Sequence, residues 1–130
     1  MSPKLPARAQ IREVGPRDGF QNEPEVISTA DKIRLINQLG QTGLDRIEVA
    51  SFVRPDVIPQ LSDAVEVLTG IDVPDHVSLT VLVPNSRGLD NALQGRERFH
   101  EVALFVSASE PHNKRNVNRF IDESMTDNEI

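Results

Sequence analysis

Four times along this chain the apolar residues switch from strand-like alternation to helical spacing. Gln10 to Val14, with Ile11 and Val14, reads as a strand that Gly15-Pro16 ends, because proline has no N–H to give to a ladder. Ser28 and Asp31 then form an S-x-x-D capping pattern ahead of Ile33, Ile36 and Leu39, which predicts an amphipathic helix closed by Gly43. Alternation returns in Leu44 to Ala50 (LDRIEVA), with Glu48 near the strand's end. Helical spacing follows between Gln60 and Leu68, where Leu61, Ala64, Val65 and Leu68 share a face before Gly70. His76 to Pro84 (HVSLTVLVP) is a third strand, rich in β-branched residues, followed by a helix from Ser86 to Gln94 with Leu89, Ala92 and Leu93. Glu101 to Ser107 (EVALFVS) is the fourth strand, and IDESMTDNEI, residues 121–130, reads as the opening of a fourth helix.

Strands separated by helices are βαβ units, so the fold class is α/β with a parallel sheet. An open doubly wound sheet and a (β/α)8 barrel both begin this way, and 130 residues suffice for one domain. No G-x-G-x-x-G or Walker-type loop follows any strand, which removes the phosphate cradle of the nucleotide-binding open sheet. Polar residues gather instead after strand ends: Arg17, Asp18 and Gln21 after the first, Glu48 and Ser51 at the second, Asn85 after the third, and Ser107 to Glu110 after the fourth. A barrel enzyme builds its site on that rim, from loops that follow different strands. That pattern favours a TIM barrel over the open sheet, with about four βα units over residues 10–130, the fourth helix cut short, behind a flexible start at residues 1–9.

Charge narrows the partners. The formal net charge is −6, from 14 basic and 20 acidic residues, with no long basic run, so a nucleic-acid surface is not expected. No apolar run suggests a membrane segment or signal peptide. The absence of cysteine rules out disulfides and thiolate metal sites and suits a reducing compartment, for which the cytoplasm is the default.

Two readings of Pro16-Arg17-Asp18-Gly19 stand side by side. It has the composition of a type I turn. It also sets a carboxylate able to ligate a hard divalent cation beside a guanidinium able to hold an oxyanion, and neighbouring residues that project differently need not neutralise one another. Glu48, inside an apolar strand, calls for a positive partner if it is buried, and Arg17 is the candidate; otherwise it lies on the solvent rim. His76 and His100 precede strands, at the end away from the presumed site, and read as surface residues. His112 stands on the correct rim without a partner at ligand spacing. Lys114, Arg115 and Arg119 read as solvated loop charges, with contact to the phosphates of an extended cofactor as the other possibility.

The stretches EVGPRDGFQNE (13–23), IEVASFVRPDVIPQLSDAVEVL (47–68), VPN (83–85) and SASE (107–110) resemble the 3-hydroxy-3-methylglutaryl-coenzyme A lyases, metal-dependent lyase barrels with an R-D-G-x-Q signature. The likeness runs in order from about residue 10 to residue 121. It implies cleavage of hydroxymethylglutaryl-CoA to acetoacetate and acetyl-CoA by a retro-Claisen reaction on a divalent metal, Mg²⁺ or Mn²⁺. By the same resemblance Asp18 is a direct metal ligand, Arg17 stabilises the enolate-like oxygen of the departing acetyl-CoA, Glu48 and Gln21 support the site, and Ser51 and Asn85 contact the substrate. The complete protein is expected to be a homodimer acting on a small acyl-CoA. The family's later His-x-His pair, asparagine and glycine-loop cysteine are not in this chain, so the resemblance implies the N-terminal half of a TIM barrel with one metal ligand, inactive alone. The alternatives are a Claisen-type synthase of the isopropylmalate or homocitrate kind, and a non-catalytic half-barrel that works through a partner chain. Half a barrel should leave two unpaired sheet edges and an apolar interior face exposed, and so should not be a well-behaved monomer.

Overall fold

A computed structural model describes residues 5–129. Four parallel strands lie in sequence order: β1 (Arg12–Glu13), β2 (Arg46–Ser51), β3 (Ser78–Leu82) and β4 (Glu101–Ala103). Between them run α1 (Thr29–Gly40), α2 (Ala64–Gly70) and α3 (Ser86–Ala92), and after β4 come α4 (Glu110–Val117) and α5 (Ile121–Asp127). The parallel α/β reading is correct, and each of the four strands falls where alternation marked one.

Several boundaries moved for identifiable reasons. β1 shrinks to two residues because Val14 already gives its carbonyl to the next loop, accepting from Arg17 N at 3.1 Å and Asp18 N at 2.7 Å. Residues 15–19 are not a type I turn but one π-helical turn, with Pro16 near its start where no N–H is needed. Ser28 caps α1 as the pattern indicated, accepting from Asp31 N at 3.2 Å, but the helix stops at Gly40, three residues short of the left-handed Gly43. The segment 60–68 divides into a 3₁₀ turn, Pro59–Leu61, and α2, which starts only at Ala64. The third helix gives way to 3₁₀ turns over Leu93–Arg98, kinked at Gly95. β4 ends at Ala103 rather than Ser107. α4 was not anticipated: EPHNKRNV has one apolar residue and hence no helical period, and its buried member is a polar one, Asn113. Of the start expected to be flexible, residues 1–4 lie outside the described residues, as does Ile130; residues 5–9 form no helix or strand.

Alternation assigns the faces of the sheet. Thr80 pairs in register with Glu48 and with Glu101, and Thr80 Oγ1 donates to Glu101 Oε2 at 3.0 Å, so these three share a face. Arg46 and Arg12 share it too, through the row Arg12, Arg46, Ser78. The opposite face carries Ile47, Leu79 and Val81, buried with Ile36 of α1, Val67 and Leu68 of α2, and Ala92 of α3 in one apolar cluster. A bulge at Val49 lets Ala50 join Val81 on the helix side while Ser51 keeps step with Leu82 on the other. The helices therefore cover one face only. The uncovered face is polar, contrary to the apolar interior expected, because its positions are occupied by arginine, glutamate, serine and threonine. Exposed apolar side chains are found instead on the helix side of β4 and its continuation, at Val102, Leu104 and Val106, where no helix packs behind the strand.

Candidate active site

The polar face leads, at the carboxyl ends of the strands, to the residues singled out above. Arg17 hangs from the π-helical turn after β1, and its Nε donates to Oε1 of Glu48 on β2 at 2.6 Å. The Glu48 side chain is 6% exposed and that of Arg17 18%. Burying that carboxylate is tolerable because the guanidinium meets it with a charge-assisted bond. In return, the Arg17 head group is held in a fixed orientation rather than sweeping through solvent. The rim location considered for Glu48 is thereby excluded.

Asp18 projects outward, 53% exposed, and its Oδ1 accepts from Arg17 Nη1 at 2.9 Å. Adjacent in sequence, the two are also paired in space through one oxygen and one nitrogen, which leaves Asp18 Oδ2 and Arg17 Nη2 for other contacts. The turn that carries them is tied down at Gly15, whose N–H donates to Glu13 Oε1 at 2.7 Å, and at the far side by Asn22 Nδ2, which donates to the carbonyl of Asp18 at 2.7 Å.

Gln21 and Arg17 line a cleft of about 570 Å³, walled by Val53, Arg54, Val57 and Ile58 after β2, Pro84 and Asn85 after β3, Phe105 after β4, and Arg115 to Asn118. Arg54 forms a two-point pair with Asp56, and the hydrogen bonds of that pair raise its pKa. Asn85 reaches the cleft, but its Oδ1 is engaged as the α3 cap, accepting from Gly88 N at 2.9 Å. The Ser51 hydroxyl is 1% exposed and has no hydrogen-bond partner among the described residues. A buried hydroxyl without a partner at the strand end is an acceptor and donor left for something else.

The charges after β4 separate into different roles. Arg115 lines the cleft. Lys114 lies over the Phe120 ring, 4.6 Å from its centroid, and Arg119 pairs with Asp127 at 2.6 Å. His76, His100 and His112 are all exposed, and His100 Nδ1 accepts from Leu79 N at 3.0 Å, a structural task at the end of the strands remote from the cleft.

Sequence reasoning missed two buried polar groups that shape these loops. Asn113 is 1% exposed; its Oδ1 accepts from Ser107 N at 3.1 Å, and its Nδ2 donates to Ser124 Oγ at 2.7 Å and to Arg119 O at 3.0 Å. Lys32 is 2% exposed on α1. Its signal was available, since it stands four residues before Ile36 on the apolar stripe, where a charge is out of place.

As a metal site the chain is incomplete. Among the described residues no three His, Asp or Glu side chains converge, and Asp18 offers one carboxylate with one oxygen already on Arg17. A hard divalent ion takes six or more oxygen ligands, several of which can be waters, so one side chain does not define a site. No helix among the described residues is long and apolar enough to cross a membrane.

A family model described as HMGL-like matches residues 8–129. A hydroxymethylglutaryl-CoA lyase from Bacillus subtilis is 53% identical over 120 residues, covering 92% of this chain and 40% of that protein. The human mitochondrial hydroxymethylglutaryl-CoA lyase is 46% identical, covering 93% and 37% respectively. Among solved structures, the Bacillus subtilis HMG-CoA lyase superposes with a TM-score of 0.89 at 52% identity, over 94% of this chain and 40% of that one. An Acinetobacter baumannii HMG-CoA lyase, in complex with coenzyme A and 3-methylmalate, does so with a TM-score of 0.86 at 41% identity, over 91% and 38%. The chain thus spans about 40% of the length of the relatives it matches. Those neighbours are TIM barrels, and the four βα units described here correspond to part of one.

Proposed function

The chain belongs to the HMGL-like family, and on that premise we propose that it forms the N-terminal part of the barrel of a carbon–carbon lyase that cleaves 3-hydroxy-3-methylglutaryl-CoA to acetoacetate and acetyl-CoA. The observation that carries this reading is the guanidinium of Arg17, fixed by the buried carboxylate of Glu48 at the mouth of a cleft of about 570 Å³. In the retro-Claisen step the tertiary hydroxyl loses its proton, the bond between C2 and C3 breaks, and the electron pair moves onto the thioester carbonyl as an enolate that is then protonated. Negative charge develops on that oxygen only as the bond breaks. A donor already oriented there stabilises the transition state without reorganising.

Arg17 suits the task because it lines the cleft and, with Nε and Nη1 engaged by Glu48 and Asp18, keeps the donors of Nη2 for a ligand. Gln21 and Asn85 border the same space and are assigned to substrate contact, as is Ser51, whose unpartnered hydroxyl is buried beside a separate small void. Asp18 is assigned as the one carboxylate this chain contributes to a divalent ion, Mg²⁺ or Mn²⁺, whose Lewis acidity would lower the pKa of the hydroxyl that is deprotonated. The residues that complete such a site belong to the rest of the barrel. On the same reading the substrate is a small acyl-CoA, and the complete protein is taken to be a homodimer of the cytoplasm.

The test is acetoacetate release from 3-hydroxy-3-methylglutaryl-CoA by the complete protein with Mg²⁺ or Mn²⁺, compared with Arg17→Gln. Release that needs the metal and collapses in the variant supports the proposal. Condensation of acetyl-CoA with a 2-oxo acid, without release, would transfer the chain to the synthase reading.

A further inference from the structure

A lysine ammonium removed from water must find partners for its charge, and the partners of Lys32 join three separate segments. Nζ donates to the carbonyl of Gln60 at 2.5 Å and to Asp63 Oδ1 at 2.6 Å. The second oxygen of Asp63 accepts from Thr29 Oγ1 at 2.7 Å, and Gln60 Nε2 donates to the carbonyl of Glu23 at 3.1 Å. The ammonium also stands 6.0 Å from the centroid of the Phe20 ring. One buried cation therefore links α1, the stretch 20–23 just after Asp18, and the turn 59–63 at the foot of the cleft wall formed by Val53, Arg54, Val57 and Ile58.

Lys32, Asp63, Pro16 and Ser51 border one small void of about 10 Å³. The network thus lies directly behind the turn that carries Arg17 and beside the unpartnered hydroxyl of Ser51. That turn is a single π-helical turn, in which the N–H groups of Arg17 and Asp18 converge on the carbonyl of Val14. An apolar side chain could fill the same volume. It could not supply directed donors to two groups on one segment while sitting under the aromatic ring of another.

We propose that Lys32 is a positioning residue for the lyase reaction: through Asp63 and Gln60 it sets the Arg17 turn against the opposite cleft wall, without touching substrate. The proposal rests on the lyase reading for its consequence in catalysis and on the geometry alone for its consequence in the loop. Misplacement of a reacting group by about 1 Å can cost about 10²-fold in rate, so a role of this kind is large enough to measure.

The discriminating variants are Lys32→Met and the double variant Lys32→Met with Asp63→Leu, which removes both charges while keeping apolar bulk. Replacing a buried ion pair by apolar residues often restores stability, so the double variant separates folding from positioning even if the single one unfolds. Amide exchange followed by mass spectrometry in the complete protein compares residues 14–21 with the core strand 78–83. In the complete protein, kcat and KM are measured for acetoacetate release. The expected result for the double variant is native-like exchange in the core strand, about tenfold faster exchange over 14–21, and kcat lowered about 10²-fold with KM within a fewfold of wild type. Native exchange over 14–21 together with unchanged kcat would overturn the proposal and leave the ion pair a stabilising element only. If the wild-type protein releases no acetoacetate, the lyase reading falls, while the exchange comparison still decides whether Lys32 orders the turn.

Discussion

Arg12 on β1 and Glu101 on β4 meet across the sheet, Nη2 to Oε2 at 2.5 Å, although two strands lie between them. Strands in a flat sheet stand about 4.8 Å apart, so the outer two of four would be about 14 Å apart, near the limit of the combined reach of an arginine and a glutamate. The polar face is therefore concave, as the inside of a barrel arc must be. Glu101 also receives Thr80 Oγ1 and stands 3.5 Å from Arg46. One carboxylate holds side chains from all four strands in register.

That carboxylate should make stability acid-sensitive. Burial pushes the Glu101 pKa up, but the Thr80 hydroxyl and the Arg12 and Arg46 guanidiniums outweigh it and hold the group below its ordinary value of 4.5. Because the folded pKa is depressed, its contribution is fully present above the unfolded pKa and is lost as pH falls from about 4.5 through the lower folded value. Glu101→Gln should lower stability at pH 7 by about 1 kcal/mol and flatten the acid limb of the stability curve. Urea melts at pH 7 and pH 3.5 check this; an equal loss at both pH values would contradict it.

Arg17→Gln in the complete protein should reduce kcat by about 10²- to 10³-fold while leaving KM within a fewfold, since the lost donor acts mainly on charge that develops as the bond breaks. Glu48→Gln should give a smaller loss of kcat, because an amide oxygen can still accept from Nε but no longer balances its charge. Steady-state kinetics on the two variants rank them. A change confined to KM would assign Arg17 to ground-state binding.

Asp18→Asn should weaken the metal dependence of turnover, raising the concentration of Mg²⁺ or Mn²⁺ needed for half-maximal rate at least tenfold, because an amide oxygen is a poorer ligand for a hard cation than a carboxylate. Metal titration of the rate is the measurement, and an unshifted midpoint would remove Asp18 from the ligand set.

Gly88→Ala should destabilise the fold by about 1–3 kcal/mol. A Cβ there would stand 2.8 Å from the carbonyl oxygen of Phe52 and 2.9 Å from Pro84 Cδ, the first a backbone atom and the second part of a proline ring closed on the backbone, so neither can turn aside. Gly19, where a Cβ meets nothing within 4 Å, is the control, and Gly19→Ala should change the thermal midpoint little.

The 130-residue chain should self-associate and release no acetoacetate. β1 and β4 each pair on one side only, and Val102, Leu104 and Val106 are 38%, 44% and 40% exposed. Unpaired parallel edges flanked by apolar side chains invite pairing with other copies. Sedimentation across a concentration series should show mass rising with concentration, and Val102→Lys with Leu104→Lys should suppress it. A cooperatively folding monomer at all concentrations would show that these edges are tolerated in water.

The order of strands and helices was legible in residues because period two and period 3.6 cannot be confused over runs such as HVSLTVLVP and ISTADKIRLINQL, and Ser28 marked its helix start by a local hydrogen bond. The candidate site was legible as a set of residue types at strand ends: Arg17, Asp18, Gln21, Glu48, Ser51 and Asn85 all lie at the carboxyl side of the sheet. Apart from the pairing of Arg17 with Glu48, which a buried carboxylate demanded, what the chain could not disclose locally was who meets whom. Alternation said that residues 12, 46 and 101 would project from strands, but only the curvature of the sheet turned them to one another and made the inner face polar. The π-helical turn at 15–19 depended on the carbonyl of Val14 being released from the ladder, and α4 on Asn113 finding Ser107, Arg119 and Ser124 at once. Lys32 stood out of place on an apolar stripe, but its partners, Asp63 and Gln60, lie about 30 residues away in sequence. Local patterns determine elements because their energies are set within a few residues; buried polar contacts depend on distances between segments that exist only after the chain has packed.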